Sequence, residues 1–227
     1  MTIRHGVLSV LALAVAMAAG TSASRAEVAI SLYSGYQGAL NSNVSGSDPA
    51  GVGAFNFDQR WDGRSFSQNP IYWGARGTLW LDGFDLPNWG IELDYTHAKV
   101  YADPLPAGWK TFEFTDGLNL FTANAMYRFQ DPDRAWTPYV GVGAGISMPH
   151  VEVQTTATSP KTFRYEIAGP AIQAQAGIDY ALTDWASIFV EYKFDYAWND
   201  TDLEGGGSLK TNIATNAVDV GLTFKWK

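Results

Sequence analysis

From residue 27 onward apolar side chains recur at every second position, the spacing that sends successive side chains to opposite faces of a β-strand. In 186–198, Ile188, Val190, Tyr192, Phe194, Tyr196 and Trp198 share one face, while Ser187, Glu191, Lys193 and Asp195 share the other. The stretch 169–182 sets Ile172, Ala174, Ala176, Ile178 and Tyr180 against Gln173, Gln175 and Asp179. In 212–227, Val218, Val220, Leu222, Phe224 and Trp226 oppose Asp219, Thr223 and Lys225. The segments 27–37, 70–81, 89–101, 117–129 and 137–148 alternate in the same way. Eight strands of about ten residues or more have the length a tilted strand needs to cross a bilayer.

A soluble sandwich or lipocalin also alternates, but turns its apolar face inward. Two features favour a membrane barrel. Trp89, Trp136 and Trp185 each restart a strand after a short turn, and Trp226 ends the last strand at the same end, as in an aromatic girdle. The connections at the other end, about 38–67, 102–116, 149–168 and 199–211, are all longer. The pattern therefore predicts an all-β, eight-stranded antiparallel transmembrane barrel of the outer-membrane type. Its long loops are expected outside the cell and both termini in the periplasm.

Ahead of the first strand, residues 1–26 read as a cleaved signal peptide: Arg4 and His5, an apolar run over 6–19, and the small-x-small site Ser24-Arg25-Ala26. The barrel domain is then 27–227. The signal carries away two arginines and no acid, so a chain already at −8 becomes more acidic. That balance and a pI near 4.7 exclude a nucleic-acid partner. With no cysteine, disulfides, thiol catalysis and Cys-ligated metal or iron–sulfur sites are excluded.

Eight strands leave room inside for side chains only. The inward positions Arg76, Glu92, Asp94, Asn124, Arg128, Gln173, Gln175, Asp179, Glu191, Lys193, Asp195 and Asp219 mix both signs and predict a packed polar lumen. Gly141, Gly143 and Gly145 fall inward, where they make room for large neighbours. Chemistry is expected at the long-loop end, where His97 and His150 lie. Parity with Trp89, Ile91, Leu93 and Tyr95 puts His97 and Lys99 on the outward row, at a rim where the cost of a charge is about 0–1 kcal/mol. No His-x-Ser pair is present, so a strand-borne acyl hydrolase is disfavoured. His97, His150 and a carboxylate could form a two-histidine, one-carboxylate metal set. Asp200, Asp202 and Glu204 could share a hard cation, but without a glycine-turned twelve-residue loop a solvated acidic loop is the favoured reading.

Several segments of the first half carry a more specific likeness. Ser31-Leu32-Tyr33-Ser34-Gly35-Tyr36-Gln37, Val44-Ser45-Gly46-Ser47-Asp48-Pro49 and Trp61-Asp62-Gly63-Arg64-Ser65-Phe66 are three of them. Tyr72-Trp73-Gly74-Ala75-Arg76-Gly77-Thr78-Leu79-Trp80 and Leu93-Asp94-Tyr95-Thr96-His97-Ala98-Lys99-Val100-Tyr101 are the others. Together they resemble the alphaproteobacterial outer-membrane lipid A oxidase family; the second half is similar to small outer-membrane barrels in general. The resemblance implies oxygen-dependent oxidation of the proximal glucosamine of lipid A to 2-aminogluconate. Such a reaction needs a base and an electron acceptor. No Gly-rich dinucleotide loop is present, so a divalent metal would be the economical cofactor.

The site residues expected on this basis are His97 as base or metal ligand, Asp94 or Asp62 as its carboxylate partner, His150 as a second ligand, and Arg64 and Lys99 as contacts to lipid A phosphate. The expected partners are the lipopolysaccharide of the outer leaflet and the barrel-assembly machinery, with the chain itself a monomer. The competing expectation is a non-enzymatic surface barrel of the opacity or small-porin type. Gathering of His97, Asp62 and Arg64 in folded loops would favour the enzyme.

Overall fold

The computed structural model describes residues 26–226 apart from 64–66, 68–70 and 115; residues 1–25 of the expected signal peptide 1–26, and Arg64, lie outside the described residues. In chain order the strands are β1 (Glu27–Ala39), β2 (Ser42–Asp48), β3 (Gly53–Gln59), β4 (Trp61–Gly63), β5 (Trp73–Leu81), β6 (Leu86–His97), β7 (Val100–Ala102) and β8 (Thr111–Phe114). They continue as β9 (Leu120–Arg128), β10 (Trp136–Ser147), β11 (His150–Gln154), β12 (Thr162–Tyr165), β13 (Gly169–Ala181), β14 (Ala186–Leu203) and β15 (Gly207–Trp226).

Strands β1, β5, β6, β9, β10, β13, β14 and β15 pair in that order, all antiparallel, and β1 closes on β15 from Val28↔Trp226 to Ala39↔Thr215. Closure removes the free edges through which open sheets aggregate. Each of the eight alternating segments supplies one barrel strand. Because β1 begins where β15 ends, both ends of the barrel lie on the side of the short turns.

The two faces of the wall are as the alternation predicts. Ile91, Val142, Val190, Val218 and Val220 stand outward and about half exposed or more. The inward polar residues are buried and bonded to each other, with Asp179 half-buried against Ser187 and Lys225. Arg76 reaches Glu191 at 2.7 Å and Glu92 at 3.5 Å. Lys193 reaches Asp94 at 2.8 Å, and Asp94 also accepts from the Tyr33 hydroxyl at 2.8 Å. Gln175 donates to Glu92, Gln173 to Asp195, and Tyr72 to Asp219. Such pairing is what makes ionised groups tolerable out of water. Gly141 and Gly143 open space for Met126 and Asn124, as their inward parity requires.

At the short-turn end Arg128 binds Glu27 at 2.6 Å and Asp82 at 2.9 Å while stacking over Trp80. Trp89, Trp136, Trp185 and Trp226 ring this end, exposed. The other end departs from a simple loop picture. Strands β4, β7, β8, β11 and β12 form a second sheet, and the β2–β3 hairpin extends the barrel by pairing with β15. Trp61, Val100, Trp109, Phe112, Phe114, Leu118, Val151 and Val153 pack into an apolar core with Leu203, Leu209 and Ile213 of the long β14–β15 hairpin. Burying large rings in this way contributes roughly 1.5–3 kcal/mol each, enough to fold connections that alternation alone leaves unassigned.

The predicted third strand 89–101 is thereby split. β6 ends at His97, because the next backbone groups are claimed elsewhere: the Gln37 side-chain nitrogen donates to the Lys99 carbonyl, the Lys99 N–H donates to the Gln37 side-chain oxygen, and the Leu118 N–H donates to the Ala98 carbonyl. Residues 100–102 then join the second sheet.

Candidate functional site at the barrel rim

Where the barrel meets the second sheet, polar side chains gather around the turn that carries Asp116 and Gly117. Tyr165, opposite His150 on the β11–β12 ladder, donates its hydroxyl to Asp116 at 3.2 Å. The His150 imidazole Nδ1 stands 3.9 Å from the same carboxylate and the Lys99 ammonium 4.0 Å from its other oxygen. His150 is held edge-on against Phe163 and beside Tyr165, and among the described residues its Nδ1 has no hydrogen-bond partner. Asp116 itself is half exposed.

Asn119 links this carboxylate turn to His97. Its left-handed backbone, φ 49°, is a conformation asparagine tolerates better than most residues. The Asn119 amide nitrogen donates to the carbonyls of Asp116 and Gly117. Its side-chain oxygen must therefore be the acceptor toward Tyr95 OH at 2.7 Å and His97 Nδ1 at 2.8 Å. That assigns the ring proton of neutral His97 to Nδ1 and leaves Nε2 as the atom able to take a proton or a ligand. Trp73 packs beside the ring, on the outward face that parity predicts.

Burial lowers the pKa of His150, with the Lys99 and Lys161 charges in the same direction and Asp116 and Glu152 opposing. Burial also lowers that of Lys99, against Asp116 and Glu113, and raises that of Tyr165, with Asp116 adding to the rise. A histidine whose folded pKa is depressed binds its proton more readily when unfolded. The stability it confers is thus present above its ordinary range near about 6.5 and falls as pH drops through it. Hydrogen exchange of the β11 and β12 amides, corrected for intrinsic rate, should show less protection at about pH 5 than at about pH 8. His150→Phe should flatten that dependence; an unchanged slope would remove His150 as its source.

The residues expected to act together are in part separated. His97 lies on the rim, but Asp94 is three positions away on β6, hence on the opposite face, and its carboxylate is bound inside the lumen by Lys193 and Tyr33. Odd spacing on a strand makes that unavoidable, so Asp94 is not the partner of His97. Asp62 lies on β4 opposite Tyr101, in the second sheet, whereas the polar contacts of His97 go to Asn119 and Tyr95. Lys99 is not outward: parity is lost after His97, and its side chain is buried against Asp116. His97 and His150 both turn toward the 116–119 segment, but among the described residues no three His, Asp or Glu groups are placed to hold a metal ion. Asp200 is paired with Lys210, and Asp202 and Glu204 with Arg164, so this acidic run is an ion-paired hairpin. Asp116, Asn119, Tyr95 and Tyr165 were not anticipated. The Asp-Gly dipeptide at 116–117 is a turn signal, but nothing local shows what that turn would face.

No family model matches the chain, and no curated protein matches it. Among solved structures, the outer membrane protein AlkL, determined in lipid bilayers, aligns with a TM-score of 0.50 at 14% identity, over 92% of this chain and 93% of AlkL. Neisserial surface protein A aligns at 0.47 with 14% identity over 91% of this chain and 100% of that one. OprG of Pseudomonas aeruginosa aligns at 0.45 with 12% identity, over 90% and 98%. The likeness is one of fold. The alignment with AlkL agrees with an eight-stranded barrel of the outer-membrane type and carries no activity with it.

Proposed function

We propose that this protein is a non-enzymatic surface barrel of the outer membrane, of the opacity or small-porin kind, that meets its surroundings through the second sheet. The long connections then lie outside the cell and both strand termini in the periplasm, the usual arrangement for such barrels. The observation that carries the reading is the fold of those connections. Three of them combine into one ordered sheet with an apolar core, above a lumen filled by ion pairs. A rigid platform on a filled barrel suits contact and envelope support.

One observation favours a second reading, modification of lipid A. The cluster of His97, Asn119, Asp116, Lys99 and His150 lies at the rim, beside the level where a phosphorylated glucosamine headgroup would stand. In that reading His97 acts through Nε2 as the base and Arg64 contacts lipid phosphate. Expressing the protein in cells that make 1-dephosphorylated lipid A, then weighing the lipid, separates the two. Unchanged lipid is the expected result. A gain equal to one oxygen atom, lost in His97→Ala while heat-modifiable gel mobility is kept, would overturn the surface-protein reading in favour of the oxidase.

A further inference from the structure

The apolar outer wall does not end at one height around the barrel. On β14 the outward row stops at Trp198 and continues as Asp200 and Asp202, both exposed. The Asp200 amide bonds to the Ala168 carbonyl, which sets residues 163–167 at or above the level where β14 has already turned polar. There the alternation begins again. Phe163, Tyr165 and Ile167 point outward and are 60%, 50% and 66% exposed. The intervening Arg164 and Glu166 turn to each other and to the β14–β15 hairpin, where Arg164 meets Glu204 at 3.2 Å. Lys161 lies over the Phe163 ring.

We infer that β12 and the segment leading into β13 form a membrane anchor, seating Phe163, Tyr165 and Ile167 in the outer leaflet beyond Trp198, where the outward apolar row of β14 ends. The inference rests on reading the barrel wall as lipid-facing. Lipid is the occupant because the row is continuous with that wall: on the same chain it runs through Pro170 to Ile172, both outward. Its composition is that of a membrane boundary. Two purely apolar side chains flank a tyrosine whose hydroxyl is held by Asp116, and a lysine caps the upper ring. Aromatic rings with one polar end are favoured at this depth, and the Lys161 ammonium over the upper ring is paired with Glu152. The anchor would also fix the height of the rim cluster, since His150 packs against Phe163 and Tyr165.

The absence of cysteine allows a direct test. Nitroxide labels on Phe163→Cys, Ile167→Cys, Ile172→Cys and Asp200→Cys, each in the full barrel in dimyristoylphosphatidylcholine vesicles, report relative access to oxygen and to a water-soluble nickel chelate. Labels at 163 and 167 should read with the oxygen-rich, nickel-poor label at 172 and apart from the nickel-accessible label at 200. Nickel access at 163 and 167 with 172 still lipid-like overturns the anchor and leaves the barrel wall standing. Nickel access at 172 as well overturns the lipid-facing wall and the anchor with it.

Discussion

Arg76→Met should destabilise the barrel by about 3–5 kcal/mol, the usual cost of stranding a buried ion-pair partner. The guanidinium has buried neighbours on several strands: Glu191 at 2.7 Å, Glu92 at 3.5 Å, Gln175 at 3.2 Å and the Tyr139 hydroxyl at 3.1 Å. It also lies over the Phe189 ring at 4.4 Å. Removing it leaves two carboxylates facing one another in a space without bulk water, and their desolvation is no longer offset. Methionine preserves much of the stem volume, so the loss reports charge more than cavity. Urea unfolding in detergent micelles measures it. The double variant Arg76→Met, Glu191→Gln should recover a large part, since replacing both partners removes the stranded charge. A single variant as stable as the parent, or a double variant worse than the single, would show that the lumen does not depend on this pair.

The lumen was legible in the sequence because its inventory follows from one rule. Alternation fixes which side chains face in, and in so narrow a barrel the opposite charges gathered there meet across the lumen as well as along neighbouring strands. Arg76, Asp94, Glu191 and Lys193 were placed by parity alone, and Asp94 finds Lys193 across the barrel. The rule fails where a strand leaves the ladder. His97 kept its predicted face, being the last paired residue of β6, whereas Lys99, two positions on, did not. The second sheet is built from strands of three to five residues contributed by three different loops. In pieces so short the period carries little information, and the pairing is decided by the shared apolar core. That is why Asp62 and His97, near in the expected site, belong to different sheets, and why Asp116 was missed although its turn was visible.

Gly74→Val should be the most damaging single change that alters no charge. Gly74 faces Tyr33 across the β1–β5 ladder, and a Cβ at Gly74 would fall 2.1 Å from the Tyr33 hydroxyl oxygen. An exposed tyrosine could swing away; this one cannot do so cheaply. Its hydroxyl donates to Asp94 at 2.8 Å and contacts the Thr96 hydroxyl at 2.8 Å, and the Lys193 ammonium lies 3.7 Å from its ring centre. Displacing the ring therefore adds the loss of a charge-assisted hydrogen bond, about 1.5–3 kcal/mol, to an overpacking cost of about 1–3 kcal/mol. Phe189 over Gly221 and Tyr139 over Gly177 repeat the arrangement, so large rings and bare backbone alternate around the lumen by design of the sequence. Gly77→Val on the same strand is the matched control, because a Cβ there meets nothing within 4 Å and valine favours a strand. The expected result in a refolding assay read by heat-modifiable gel mobility is a large loss of folded barrel for Gly74→Val and none for Gly77→Val. Tyr33→Leu combined with Gly74→Val should regain part of the loss by clearing the space. Equal behaviour of the two glycine variants would mean that valine as such, and not the ring beside Gly74, decides the outcome.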